Sequence, residues 1–274
     1  MKIAIIGAGN MGGAMALGLA AGTLVRAEDI TVSDPSTANL KAIHDRQPGI
    51  VTTSDNTLCI SGADLIILAV KPWLVETVIN EIKDSIDFNS QAVASIAGGV
   101  SLDKIEGMLF KEPLDTRLAN GTSLPCPIFH ITPNTAIAFG QSMTFVSSRG
   151  STPELDERIV ALFRELGDAM YIDERLMNAA TALASCGIAY ALRYVRAATE
   201  GGVELGFRAS DAKQIVAQTL RGAAALLEAE GTHPEVEIDK VTTPGGLTIR
   251  GLNAMEESGF SAAVIRGLRA SLPK

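Results

Sequence analysis

The stretch Gly7-Ala8-Gly9-Asn10-Met11-Gly12 has the clearest chemical reading in the sequence. It follows the β-branched run Lys2–Ile6 and opens an Ala- and Leu-rich segment reaching about Ala21. In that setting Gly7 permits a tight turn, Gly9 lets the backbone approach a pyrophosphate, and Gly12 lets helix and strand pack closely. The helix start adds free N–H groups and the positive end of a dipole, both suited to an anion. Dinucleotide binding is the chemistry this spacing predicts. Asp34 follows the next strand-like run, Ile30–Ser33, about 20 residues beyond the glycines, where an acid binds adenosine ribose hydroxyls. A carboxylate there repels a 2′-phosphate and favours NADH over NADPH. Asp34-Pro35-Ser36 reads equally as a capped turn into a helix, so NADPH and NADH both stay open.

Three further stretches end strands at the same expected edge. Ala69-Val70-Lys71-Pro72 closes the apolar run Asp64–Val70, and Lys71 is either a ligand to the nicotinamide ribose or diphosphate or a solvated lysine. Ser95-Ile96-Ala97-Gly98-Gly99 offers small residues beside which a flat ring has room, and Thr132-Pro133-Asn134-Thr135 ends another run. Late in the chain, Thr243-Pro244-Gly245-Gly246-Leu247-Thr248 places a Pro-Gly-Gly turn before a helix. Consecutive backbone N–H groups there make a carboxylate cradle, and the Thr248 hydroxyl both donates and accepts. The bland alternative is a hairpin that holds nothing. His44, His130 and His233 are scattered, without an acid or nucleophile at useful spacing. Cys59, Cys126 and Cys186 are odd in number and far apart, which fits neither a disulfide framework nor a metal site.

Positioning several strand ends on one edge requires a parallel sheet. Runs at Lys2–Ile6, Ile30–Ser33, Asp64–Val70, Ala92–Ile96, Phe129–Thr132, Met143–Val146 and Ala169–Ile172 alternate with helical segments, among them Ala38–Ile43 and Val75–Ile82. That period predicts a doubly wound α/β sheet over residues 1–172. Lys111–Pro127 carries prolines and no sustained period, and reads as a surface insertion. Residues 173–274 read as helix only: Leu176–Leu205 is apolar nearly all round, a helix from Ser210 stops at Gly231, and Gly251–Glu257 and Ala262–Leu268 follow a turn-rich segment. A helix apolar on every side is covered by partners, so this half is expected to form a subunit interface.

The composition narrows the function. Hydrophobic residues make up 47% and aromatics 4%, with a formal charge of −8, which points to packed helices and away from nucleic acid. No signal-peptide pattern or membrane-length apolar run is visible, and a cytoplasmic location is expected.

Taken in order, the glycine loop, Leu68-Ala69-Val70-Lys71-Pro72, Ser95-Ile96-Ala97, Pro133-Asn134-Thr135, Glu200-Gly201-Gly202-Val203 and Thr243–Ile249 resemble the pyrroline-5-carboxylate reductase family. The resemblance implies an N-terminal Rossmann domain and an all-α C-terminal dimerisation domain, paired as a homodimer or a larger homo-oligomer. It implies NADPH or NADH as cofactor and 1-pyrroline-5-carboxylate as substrate, reduced to L-proline in the last step of proline biosynthesis. Cofactor contacts would fall on Ile6, Gly7, Ala8, Gly9, Asn10, Met11, Asn56, Ala69, Val70, Lys71, Pro72, Ser95 and Ala97. Substrate contacts would fall on Thr243, Pro244, Gly245, Gly246, Leu247 and Thr248, with Thr248 or a water at the imine nitrogen. Asp34-Pro35 stands where many members carry Asn-Arg. Two rival readings are a hydroxyacid dehydrogenase of similar build and a non-catalytic dinucleotide sensor.

Overall fold

The computed structural model describes residues 1–110 and 126–272. The insertion expected over 111–127 lies outside the described residues, apart from Cys126 and Pro127. The chain divides into two compact units, Met1–Ser185 and Cys186–Lys274.

The first unit is an eight-stranded sheet in the order β3-β2-β1-β4-β5-β6-β7-β8. Its strands are β1 Ile3–Ile6, β2 Ile30–Ser33, β3 Val51–Thr53, β4 Leu65–Leu68, β5 Ala92–Ser95, β6 Ile128–Thr132, β7 Ser142–Arg149 and β8 Gly167–Tyr171. All neighbours run parallel except β6 and β7. Side chains alternate across a strand, so β1 sends Ile3 and Ile5 to one apolar layer and Ala4 and Ile6 to the other. On the first face lie α1 (Asn10–Ala21), through Met15 and Leu19, and α6 (Pro153–Arg164), through Ile159 and Phe163. On the second lie α3 (Asn56–Ile60), α4 (Val75–Ile82) and α5 (Leu102–Leu109). Helix α2 (Thr37–Arg46) packs Ile43 into the first layer. Two covered faces explain why β4, Leu-Ile-Ile-Leu, is apolar at every position.

The first unit runs past residue 172, where the sequence reading ended it. Met177 and Ala180 of α7 (Met177–Ala180) pack on Phe145 of β7, so the segment after β8 belongs to the sheet. The single helix expected over Leu176–Leu205 is broken by a π-helical stretch, Thr181–Ser185, before α8 (Cys186–Glu204) begins.

The second unit contains α8, α9 (Ala209–Glu230), α10 (Pro234–Lys240), α11 (Leu247–Glu257) and α12 (Phe260–Ala270). Helix α10 lies in the segment read as turn-rich. His233 caps it and Pro234 occupies its first turn, so residues that punctuate a loop here start a helix. A Cβ on Gly202 of α8 would stand 2.8 Å from that of Ala212 on α9, which shows how closely the two helices approach. Among the described residues of this unit, Ala212 is the one buried hydrophobic, while Leu192, Leu205, Ile215, Leu226 and Ile265 are exposed.

Candidate active site

Parallel pairing sets the strand ends in one row. Ile6 pairs with Ser33 and with Leu68, Leu68 pairs with Ser95, and Ser95 pairs with His130. The residues that follow therefore share the carboxyl edge, where open α/β sheets bind ligands. Gly7, Asp34, Ala69 and Ile96 all emerge there.

The glycine loop is shaped by contacts that a side chain would break. Gly7 donates its N–H to the Ser33 carbonyl at 2.7 Å and turns with φ +108°, and a Cβ on it would lie 2.6 Å from the Ala69 carbonyl oxygen. A Cβ on Gly12 would overlap the Gly7 carbonyl. Gly9, by contrast, has open space where a Cβ would be, and it begins α1 without any side-chain cap. Asn10 is exposed and Met11 partly so. The first amides of a helix have no partner within it, so an uncapped, unobstructed N-terminus suits a diphosphate. The residues present fit a dinucleotide.

Asp34 is buried and engaged. Its Oδ2 accepts the Ala8 N–H at 2.7 Å, and its Oδ1 accepts the Ser36 N–H at 2.8 Å and Asn39 Nδ2 at 3.3 Å. The capped-turn role read from Asp34-Pro35-Ser36 is thus present, and the same carboxylate ties the glycine loop to the end of β2. Ser33 Oγ donates to Asn56 Oδ1 at 2.7 Å, and Asn56 Nδ2 donates to Glu81 Oε2 at 2.9 Å. Neither Ser33 nor Glu81 stood out in the sequence, although a serine closing an apolar strand beside the glycine loop was a usable signal.

Along the rest of the edge, Ala69 donates its N–H to the Ile6 carbonyl at 2.8 Å. Val70 is half-buried, and Lys71 and Pro72 are exposed. Beside them Trp73, the chain's one tryptophan, is 74% exposed. Ser95 is fully buried and accepts the Ala97 N–H at 3.2 Å, while Gly98 and Gly99 have open space beside them. Asn134, at the end of β6, caps the next turn through Ala136.

In the second unit, Thr243–Gly246 forms a turn closed by the Gly246 N–H on the Thr243 carbonyl at 2.9 Å, with Gly245 at φ +68°. Pro followed by a residue of positive φ is a type II turn. It leads directly into α11, whose N-cap is Gly246. Thr199, Thr219 and Thr242 each back-bond to the fourth preceding carbonyl. Thr248, exposed in the first turn of α11, has no such bond among the described residues, leaving its hydroxyl open to a ligand.

Comparison with known proteins places this geometry. The chain is 37% identical over 284 residues to pyrroline-5-carboxylate reductase 1 of Dictyostelium discoideum, covering 99% of this chain and 49% of that protein. It thus spans about half the length of that relative. It is 33% identical over 289 residues to pyrroline-5-carboxylate reductase 2 of the same organism, covering 100% of this chain and 91% of the relative. The chain belongs to the pyrroline-5-carboxylate reductase family. Residues 174–274 match the pyrroline-5-carboxylate reductase dimerisation family, and residues 2–99 match a family described as NADP oxidoreductase, coenzyme F420-dependent. Among solved structures, Plasmodium falciparum pyrroline carboxylate reductase with NADP bound is 26% identical, with a TM-score of 0.82, covering 99% of this chain and 95% of that one. Membership of the pyrroline-5-carboxylate reductase family accounts for the sheet, the glycine loop and the helical second unit together.

Proposed function

We propose that the chain reduces 1-pyrroline-5-carboxylate to L-proline with NADPH or NADH, as the last step of proline biosynthesis. It acts in the cytoplasm as a homodimer or a larger assembly of the same chain. The observation that carries this reading is the uncapped, open glycine loop on the shared row of strand ends, in a chain related along its whole length to reductases of that name.

When bound, the reduced nicotinamide supplies a hydride to the imine carbon; the protein's share is binding, orientation and electrostatics. Ile6 to Gly12 hold the diphosphate on the first amides of α1, with Asn56 and Ala69 to Pro72 along its flank. Ser95 and Ala97 leave room for the ring because they are small and buried. Asp34 keeps acceptor capacity for a ribose hydroxyl and opposes a 2′-phosphate, which favours NADH. The turn Thr243–Gly246 and the amide of Leu247 hold the substrate carboxylate, and the Thr248 hydroxyl holds the ring nitrogen. A protonated imine needs no strong acid from the protein. A hydroxyacid dehydrogenase would need a base to take an alcohol proton, typically a lysine on the long helix. Helix α8 carries Arg193 and Arg196 and no lysine.

Mixing the protein with NADPH or NADH and 1-pyrroline-5-carboxylate should bleach the reduced-nicotinamide absorbance and yield proline, with the lower KM for NADH. No bleaching with either cofactor refutes the reading. A hydrogen bond to a charged group contributes about 1.5–3 kcal/mol, so Thr248→Ala should lower kcat/KM for the imine by about tenfold or more. Dinucleotide affinity should stay within about twofold, since the glycine loop is untouched.

A further inference from the structure

Glu174 stands where three elements of the sheet unit meet. Its Oε1 accepts the backbone N–H of Leu102, the first residue of α5, at 2.5 Å, and lies 3.4 Å from His130 Nδ1 on β6. Its Oε2 lies 3.7 Å from Arg149 Nη2 at the end of β7. Arg149 in turn grips Asp103 at 2.7 Å and Glu106 at 2.5 Å, both on α5. The first helical amide has no partner within its own helix, and a carboxylate on it is further favoured by the helix dipole. Glu174 supplies that carboxylate from 72 residues away.

What this bond holds is the loop between β5 and α5. Gly98 and Gly99 have no neighbouring atoms where a Cβ would be, and Gly99 has φ +77°, so the two glycines at its tip are unpacked, while Ala97 and Val100 on either side are buried in the second apolar layer and the Val100 N–H meets the Ala97 carbonyl at 3.2 Å. Its conformation is set at the ends. At the β5 end, the Ile96 N–H meets the Leu68 carbonyl at 3.1 Å and the Ala97 N–H meets Ser95 Oγ. At the α5 end, Ser101 caps Lys104, Lys104 Nζ reaches the Gly99 carbonyl at 3.0 Å, and Glu174 holds Leu102. From Glu174 the chain runs on to Ala184, whose carbonyl accepts Asn134 Nδ2 at 3.5 Å, and to Ser185, whose Oγ donates to the Pro133 carbonyl at 3.4 Å. One short segment therefore ties the start of α5 to the end of β6.

We propose that Glu174 is a positioning residue for hydride transfer: by anchoring the first turn of α5 it sets the Ile96–Ser101 loop against the nicotinamide ring, with Arg149 holding the carboxylate in place. The proposal rests on the reading that the Ser95–Ala97 edge faces that ring. A displacement of about 1 Å at such an edge costs up to a hundredfold in rate without loosening the rest of the cofactor.

The test compares Glu174→Ala with Glu174→Gln, which keeps an oxygen acceptor for the Leu102 amide. In the alanine variant kcat should fall about tenfold or more, with the NADPH dissociation constant within about twofold of wild type. The isotope effect from nicotinamide deuterated at the transferred position should rise, and the amides of Val100–Lys104 should exchange faster with solvent. The glutamine variant should recover kcat and amide protection together. Wild-type kcat, isotope effect and exchange in Glu174→Ala would overturn the proposal, as would a glutamine variant no better than alanine. If alanine prevents folding, Glu174→Asp carries the same test: it keeps the charge but is one methylene short of Leu102, and an unchanged kcat overturns the proposal. A wild-type chain that turns over no imine refutes the functional reading itself, which a normal wild type with an unaffected variant does not.

Discussion

His130 is half of a pair whose other half, Glu174, lies across the sheet's second face. Burial pushes the imidazole below its ordinary 6.5, and the Glu174 charge only partly opposes this. Nδ1 is enclosed, and among the described residues its nearest polar partner is the Glu174 carboxylate at 3.4 Å, too long and poorly aligned for a full hydrogen bond. The folded chain thus holds fewer protons here than the unfolded chain once the pH falls below 6.5. With a depressed folded-state pKa, the histidine's contribution is complete above the unfolded value and is lost as the pH drops toward the folded one. The urea midpoint of the wild type should therefore decline as the pH falls through and below 6.5, and that of His130→Gln should decline less. Equal declines would show that the imidazole is not responsible. The sequence shows no partner for His130, because its partner is 44 positions away (174 − 130) and the two are brought together only by the sheet. Burial also raises Cys59 to about 11 and Cys126 to about 12, so both thiols are packing groups at neutral pH.

Strands written as unbroken apolar runs were legible, and short elements of mixed polarity were not. β1, β2, β4 and β5 lie within a residue or two of the apolar runs that announce them. β3, Val51–Thr53, and α3, Asn56–Ile60, are three and five residues long, too short for either period to develop. The glycine loop was legible because steric exclusion leaves glycine as the residue that fits at positions 7 and 12. Gly12→Ala pushes α1 off β1, because the added carbon overlaps the Gly7 carbonyl, and overpacking of this kind costs about 1–3 kcal/mol. Dinucleotide affinity should fall with it by about tenfold, since the α1 amides move. Gly98→Ala enters open space and should change the unfolding midpoint little, as denaturation of the two variants side by side will show.

At the scale of the molecule, the two units differ in how they are stabilised. The sheet unit buries both of its faces, whereas α8, α11 and α12 contain no buried residue in the single chain. Apolar residues nearly all round Leu176–Leu205 imply a covered helix without saying what covers it. The match to the dimerisation family over 174–274 points to another copy of the chain as that cover. An assembly that completes its core from another copy gains stability by mass action. The thermal midpoint should therefore rise with protein concentration, and a midpoint constant over a hundredfold dilution would argue against such dependence.

Trp73 has a practical consequence at this same scale. It is the chain's one tryptophan, and it stands exposed beside Lys71-Pro72 on the carboxyl edge of the sheet. Indole emission from this protein therefore reports the surroundings of a single known point, with no second indole to dilute it. Optical titrations of that rim need no attached dye, and a change in colour or brightness can be assigned to one address in the fold.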